Sequence, residues 1–129
     1  MQYALLIYET AADFARRDQD GNDATYVGAW RAYYKAVVEA GIYAGVNPLD
    51  APETGTTVRQ RDGKRHVQDG PYASSKEQLG GFVLLELPSL DAALEWAARC
   101  PAASSGVVEI RPVAPLELLR RITSEDQRR

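Results

Sequence analysis

Histidine and cysteine are almost missing from this chain, which carries one of each, His66 and Cys100, in 129 residues. A single cysteine forms no internal disulfide, and without a second thiol or a histidine cluster a metal site of the usual kind is not expected. A basic surplus is missing too. The formal net charge of -3 gives no general attraction to phosphate backbones or anionic lipid, so neither nucleic acid nor a membrane is an expected partner. The apolar run in "MQYALLIYET" has no basic flank and is far too short to span a bilayer, which leads to the expectation of a cytoplasmic, reducing location. Low-complexity linkers and strong repeats are absent, as are a glycine-rich nucleotide loop and a nucleophile–histidine pair.

What is present suits one compact domain. Hydrophobic residues make up 45% of the chain and both charge signs are interspersed, enough for one core and too short for two. The domain is expected over 1–122, with 123–129 as a frayed tail. "QYALLIY" (Gln2 to Tyr8) reads as a strand with apolar residues on both faces. "DATYVGAWRAYYKAVVEAG" (Asp23 to Gly41) reads as a helix that Asp23 can cap and Gly41 can stop, with Tyr26, Trp30, Tyr33 and Val37 along one face. "IYAGV" is a further strand, followed by a loop with two prolines from Asn47 to Gly55. "TTVRQR" and "KRHVQ" flank Asp62-Gly63, a strong signal for a two-residue hairpin turn. "FVLLEL" (Phe82 to Leu87), a helix opened by Ser89 and followed by Pro101, the strand "VVEIRPV" and the short helix "PLELLRRI" complete the order.

Strand, helix, strand, hairpin, strand, helix, strand is the order of an α+β fold, a ferredoxin-like split βαβ sheet with an inserted β-hairpin. Two helices on one side leave the face of Leu6 and Tyr8 uncovered, and a second copy of the chain is the simplest cover. With Asp62 and Gly63 as the loop, Arg61 opposes Lys64, Arg59 opposes His66, Val58 opposes Val67 and Thr56 opposes Asp69. Arg59, Arg61, Lys64, His66 and Gln68 then share a basic, wet face, on which His66 is a solvated residue; Val58, Arg65, Val67 and Asp69 share the other.

Asp69 is the carboxylate singled out by this pattern. An acid ending an inward-looking strand must accept hydrogen bonds, meet a cation or keep a proton, because burying an unpaired charge is costly. The structural alternative is an Asx-type bond to the amides after Gly70-Pro71. In the following "SSKE", Ser74 and Glu77 have the spacing of a capping box, which leaves Lys76 uncommitted. Gly80-Gly81 either eases a tight turn into the strand or admits a ligand close to the backbone. Tyr34, off the stripe of the long helix, and Tyr8, at the end of the first strand, are further candidates for a pocket wall, as is Trp30.

"DGPYASSKEQLGGFVLLELPSLDAALEWAARCP" resembles the signature region of the YCII-related family, in particular its subgroup named for a DGPF motif, Asp-Gly-Pro-Phe-Ala-Glu-Thr-Lys-Glu followed by a Gly-Gly strand. "YALLIY", "AYYKAVVEAG" and "TTVRQRDGKRHVQDGP" fall in the expected order. The resemblance implies a ferredoxin-like subunit that pairs into a dimeric α+β barrel, with a pocket near the DGPF-type loop. Members of the wider family include a dehydrochlorinase of a chlorinated hydroxyquinol, and some relatives are associated with alternative sigma factors. Asp69, Gly70, Pro71, Lys76, Glu77 and Gly81 match the pattern, whereas Tyr72, Ser74 and Ser75 stand for its Phe, Glu and Thr. The histidine–aspartate pair proposed for some relatives has no counterpart, since the first long helix lacks histidine.

The expected function is a small cofactor-independent enzyme of lyase, isomerase or cyclase type acting on an aromatic or polyketide-like metabolite. Asp69 is the expected base, with Lys76 and Tyr72 stabilising the oxyanion; Tyr8, Tyr34, Trp30, Ser74, Glu77 and Gly81 are the expected substrate contacts. No metal or cofactor is called for, and the expected partners are a small-molecule ligand and a second copy in a homodimer. The alternatives are a non-catalytic, small-molecule-binding regulatory dimer of the sigma-factor-associated type and a structural dimerisation module.

Overall fold

A computed structural model of the chain describes residues 1–19 and 24–124. Strand β1 (Gln2–Glu9) alternates strictly, burying Tyr3, Leu5, Ile7 and Glu9 while leaving Ala4, Leu6 and Tyr8 half-exposed, as the period of two along a strand requires. Helix α1 (Ala11–Ala15) opens with a capping box: the Thr10 amide donates to Asp13 at 3.0 Å and the Asp13 amide to the Thr10 hydroxyl at 3.1 Å. One tight turn, Arg16–Asp18, follows. Helix α2 (Tyr26–Glu39) is capped by Thr25, whose hydroxyl accepts from the Gly28 amide at 3.0 Å. The expected cap, Asp23, lies outside the described residues. Tyr26, Tyr33 and Val37 are buried along one face as the spacing predicts, with Trp30 partly buried beside them. Gly41, at φ +74°, ends the helix in the left-handed region that glycine tolerates.

Strand β2 (Tyr43–Pro48) leads to the hairpin of β3 (Thr56–Arg61) and β4 (Lys64–Asp69), in the register that the sequence predicts. Asp62 and Gly63 both take positive φ, the condition for a type I′ turn. Strand β5 (Gln78–Glu86) starts earlier than Phe82, because Gly80 is accommodated as a bulge where the pairing with β1 shifts between Ile7 and Tyr8. Helix α3 (Leu90–Arg99), capped by Ser89, strand β6 (Val107–Pro112) and helix α4 (Leu116–Thr123) complete the chain. The tail was expected to fray from 123; Thr123 instead closes α4, and 125–129 lie outside the described residues.

The strand order β2-β5-β1-β6, with all neighbouring strands antiparallel, is that of a ferredoxin-like sheet, and β3-β4 form a separate two-stranded sheet. Helices α2 and α3 cover one face: Tyr33, Val37, Ala93 and Ala97 meet Leu5, Val83 and Leu85, and the Tyr33 hydroxyl donates to the Trp96 carbonyl at 2.8 Å. The opposite face keeps Leu6, Tyr8, Phe82 and Leu84 half-exposed. Helix α4 likewise presents Leu116, Leu119 and Ile122 to solvent.

Candidate active site

The alternation that buries Leu5 and Ile7 carries one residue further, to Glu9, which is 2% exposed. Its carboxylate is held by two elements on the helix side of the sheet. Arg17, in the turn after α1, donates to Glu9 Oε1 at 2.6 Å, and the hydroxyl of Tyr26, the first residue of α2, donates to Glu9 Oε2 at 2.6 Å. Arg17 is itself fixed by the carbonyls of Gly80, at 2.9 Å, and Leu49, and its guanidinium lies 4.5 Å from the centre of the Phe14 ring. A buried charge pair of this kind holds only when both partners find further hydrogen bonds, and these two do. Gly80 makes the approach possible, for a Cβ there would lie 1.8 Å from Glu9 Oε1. The glycine pair serves the entry to β5, where Gly80 forms the bulge, and the group that lies close to its backbone is the chain's own carboxylate.

These groups form the polar end of a cavity of about 310 Å³ whose other walls include Ile7, Val27, Trp30, Val46, Phe82 and Val83. Burial, then the hydrogen bond to Glu9, pushes the Tyr26 phenol above its ordinary range, so at neutral pH it keeps its proton. The Tyr26 ring is braced by Trp30 edge-on, at 6.4 Å, and by the Arg16 guanidinium at 5.1 Å from its centre. Arg16 also pairs with Asp13, a fully buried acid that accepts from the Ser105 hydroxyl at 2.8 Å. Burial alone raises the Asp13 carboxyl, but the Thr10 amide, Ser105, Arg16 and the Thr10 side chain outweigh it, and the net direction is downward. Two further hollows adjoin: one, about 430 Å³, shares Glu9 and Arg17 and adds Asp50, Glu53 and Lys76; another, about 480 Å³, lies between Tyr8, Leu79, Pro52 and Tyr72.

The sequence-predicted residues are scattered over this landscape. Trp30 and Gly81 line the apolar cavity, Lys76 lines the hollow beyond Arg17, and Tyr8 and Tyr72 line the third. Asp69 lines none of them and is exposed, contrary to the expectation of a sheltered acid, because the hairpin leaves the main sheet and both its faces meet solvent. The Asx alternative is not realised either: no side-chain hydrogen bond of Asp69 occurs among the described residues. Tyr34 is 46% exposed and meets the Tyr43 ring at 5.5 Å rather than a cavity. Ser74 and Glu77 line none of these three hollows and form no capping box. The loop from Tyr72 to Glu77 has no helical turn; Ser75 donates to the Glu77 carbonyl at 2.6 Å, and the Gln78 amide donates to the carbonyls of Ala73 and Ser75.

Glu9, Arg17 and Tyr26 are the residues that the sequence reading missed as a group. The signal for Glu9 was available: it continues the i, i+2 series Tyr3, Leu5, Ile7, the same inward-acid argument that was applied to Asp69. Arg17 carried no such signal, since its role depends on a turn folding back over Gly80.

A family profile for the YCII-related domain matches residues 1–117. An uncharacterized protein from Rhizobium meliloti (strain 1021) is 36% identical over 118 residues, covering 88% of this chain and 93% of the relative. Among solved structures, the 5-chloro-2-hydroxyhydroquinone dehydrochlorinase TftG from Burkholderia phenoliruptrix AC1100, in complex with 2,5-dihydroxybenzoquinone, has a similar fold, with a TM-score of 0.50, 14% identity, and coverage of 88% of this chain and 94% of that one. With the profile spanning nearly the whole ferredoxin-like core and the hairpin, the chain belongs to the YCII-related family.

Proposed function

We propose that this protein is an acid–base enzyme of the lyase type that works without a cofactor on a small hydroxylated or oxo-substituted ring, and that the cavity at Glu9 is where it acts. The observation that carries this reading is a buried carboxylate bonded to a protonated tyrosine at the charged end of a mainly apolar cavity. The similar fold of a dehydrochlorinase bound to a dihydroxybenzoquinone supports the ligand class. A ring of that size fits a space of about 310 Å³, with the aliphatic walls and Trp30 holding its faces.

The chemistry follows from the direction of the hydrogen bonds. Tyr26 donates to Glu9, so its oxygen lone pair is the group offered to a ligand hydroxyl. As that hydroxyl gives its proton to the Tyr26 oxygen, the phenolic proton passes to Glu9 Oε2, and the electron pair left on the ligand oxygen forms a ring carbonyl. The displaced double-bond electrons then expel a leaving group, with its bonding pair, from the adjacent ring carbon, or, when no leaving group is present, take up at a ring carbon the proton that Glu9 returns through the Tyr26 hydroxyl; the first outcome is a lyase reaction and the second an isomerisation. Arg17 keeps the Glu9 carboxylate in place through their ion pair. Lys76, from the adjoining hollow, is the member of the sequence-predicted catalytic set that shares a cavity with Glu9. The functional unit is a cytoplasmic homodimer, in which a second copy covers the half-exposed face of Leu6, Tyr8, Phe82 and Leu84.

One observation favours the non-catalytic alternative, a ligand-binding regulatory dimer: no buried side-chain polar atom among the described residues lacks a hydrogen-bond partner, an arrangement that also suits static recognition. A panel of hydroxyquinols and quinones, scored first by thermal shift and then by chromatography of the recovered compound, separates the two. Protection with chemical conversion that Tyr26→Phe abolishes supports the enzyme. Protection with quantitative recovery of the compound supports the binder, and no protection by any ring compound contradicts both.

A further inference from the structure

Asp69 and the hairpin that carries it are not used by the cavity chemistry, and their exposure needs another account. A two-stranded hairpin is marginal on its own in water, and among the described residues this one is hydrogen-bonded to no other strand. Nonetheless it displays a cross-strand apolar pair, Val58 opposite Val67, with 61% and 58% exposure. The residues two steps away on β4 and on the same face are Arg65 toward the tip and Asp69 toward the base. Neither side chain has an ion pair or hydrogen bond among the described residues. Along this face the pattern is therefore cation, apolar, anion, at equal spacing about Val67.

Such a pattern is complementary to itself when turned end for end. In a two-fold contact residue i of one copy meets residue j of the other and the reverse holds as well. With the axis at the valine pair, two arms packed antiparallel set Arg65 of each copy against Asp69 of the other, while the four valines close a dry centre. We infer that the hairpin is a dimerisation arm whose Val58–Val67 face packs on the same face of a second copy, with reciprocal Arg65–Asp69 ion pairs across the axis. The inference rests on the homodimer proposed above and names a contact within it.

The test uses the full chain. Sedimentation of the wild type first establishes the dimer; a monomer at every concentration overturns the dimer reading, and this inference with it. Val67→Cys is then treated with a short bismaleimide, Cys100 being buried and the untreated wild type serving as control. A covalent dimer is expected; a protein that sediments as a dimer but yields none overturns the arm contact while leaving the dimer intact. In parallel, Arg65→Asp and Asp69→Arg each raise the dimer dissociation constant by about tenfold or more, and the double variant regains most of the loss. Additive weakening in the double variant contradicts the reciprocal pairing.

Discussion

Two acids at the ends of two strands, Glu9 on β1 and Asp69 on β4, meet opposite fates. Glu9 closes a strand in the middle of a sheet with helices on its inner face, so its carboxylate is buried and must be paired. Asp69 closes a strand of a two-stranded sheet that has no layer on either face among the described residues, so solvent meets it within the single chain. Position at a strand end is the same in both; what differs is the layer above. Fixed partners take the place of water around a carboxylate where the fold buries it, and of these two strand ends only that of Glu9 is so built.

The contrast is sharpened first by deleting each acid. Glu9→Ala leaves Arg17 inside the fold without its counter-charge and Tyr26 without its acceptor, and costs about 3–5 kcal/mol in urea unfolding; Asp69→Asn changes the same measurement by less than about 1 kcal/mol. Next comes Asp13, which braces the turn carrying Arg17 through Arg16. Asp13→Ala costs about 2–3 kcal/mol through the lost cap and buried hydrogen bonds. The Asp13 carboxyl sits below its ordinary value of 3.8 in the folded protein, so its contribution is complete above that value and is lost as pH falls through the depressed one. The acid limb of a stability–pH curve is therefore flatter in Asp13→Ala than in the wild type. Gly80→Ala costs about 1–3 kcal/mol, because the added methyl displaces the Glu9 carboxylate, and an intact far-ultraviolet circular dichroism spectrum with lost ligand binding is the expected signature. Smallest in stability is Tyr26→Phe, about 1–2 kcal/mol, yet it lowers turnover about 10²–10⁴-fold; measured together, the two values separate a relay from a brace.

Much of the architecture was legible from local pattern. The alternation of β1, the Tyr26–Val37 stripe, the Asp62-Gly63 turn and the Ser89 cap each report on neighbours within a few residues, and the structure places all of them as read. The site was less legible because it is assembled from residues distant in sequence. Arg17 reaches the Gly80 carbonyl across 63 positions, and nothing within the segment around Arg17 announces that reach. The shelter expected for Asp69 is missing for a related reason: its side of the hairpin is the less polar one, but whether that side is covered depends on layers that a strand pattern does not encode. The loop from Tyr72 to Glu77 shows the limit of motif spacing, since the Gln78 side chain, rather than a Ser74–Glu77 box, ties its backbone together.

The decisive measurement is the affinity for 2,5-dihydroxybenzoquinone, followed by quenching of Trp30 fluorescence in a Trp96→Phe background, for Glu9→Gln, Tyr26→Phe and Asp69→Asn beside the parent. The cavity account predicts that the first two variants bind about tenfold or more weakly and that Asp69→Asn binds as the parent does. Undiminished binding by Glu9→Gln and Tyr26→Phe, with binding lost in Asp69→Asn, contradicts it and returns the chemistry to the loop at the base of the hairpin.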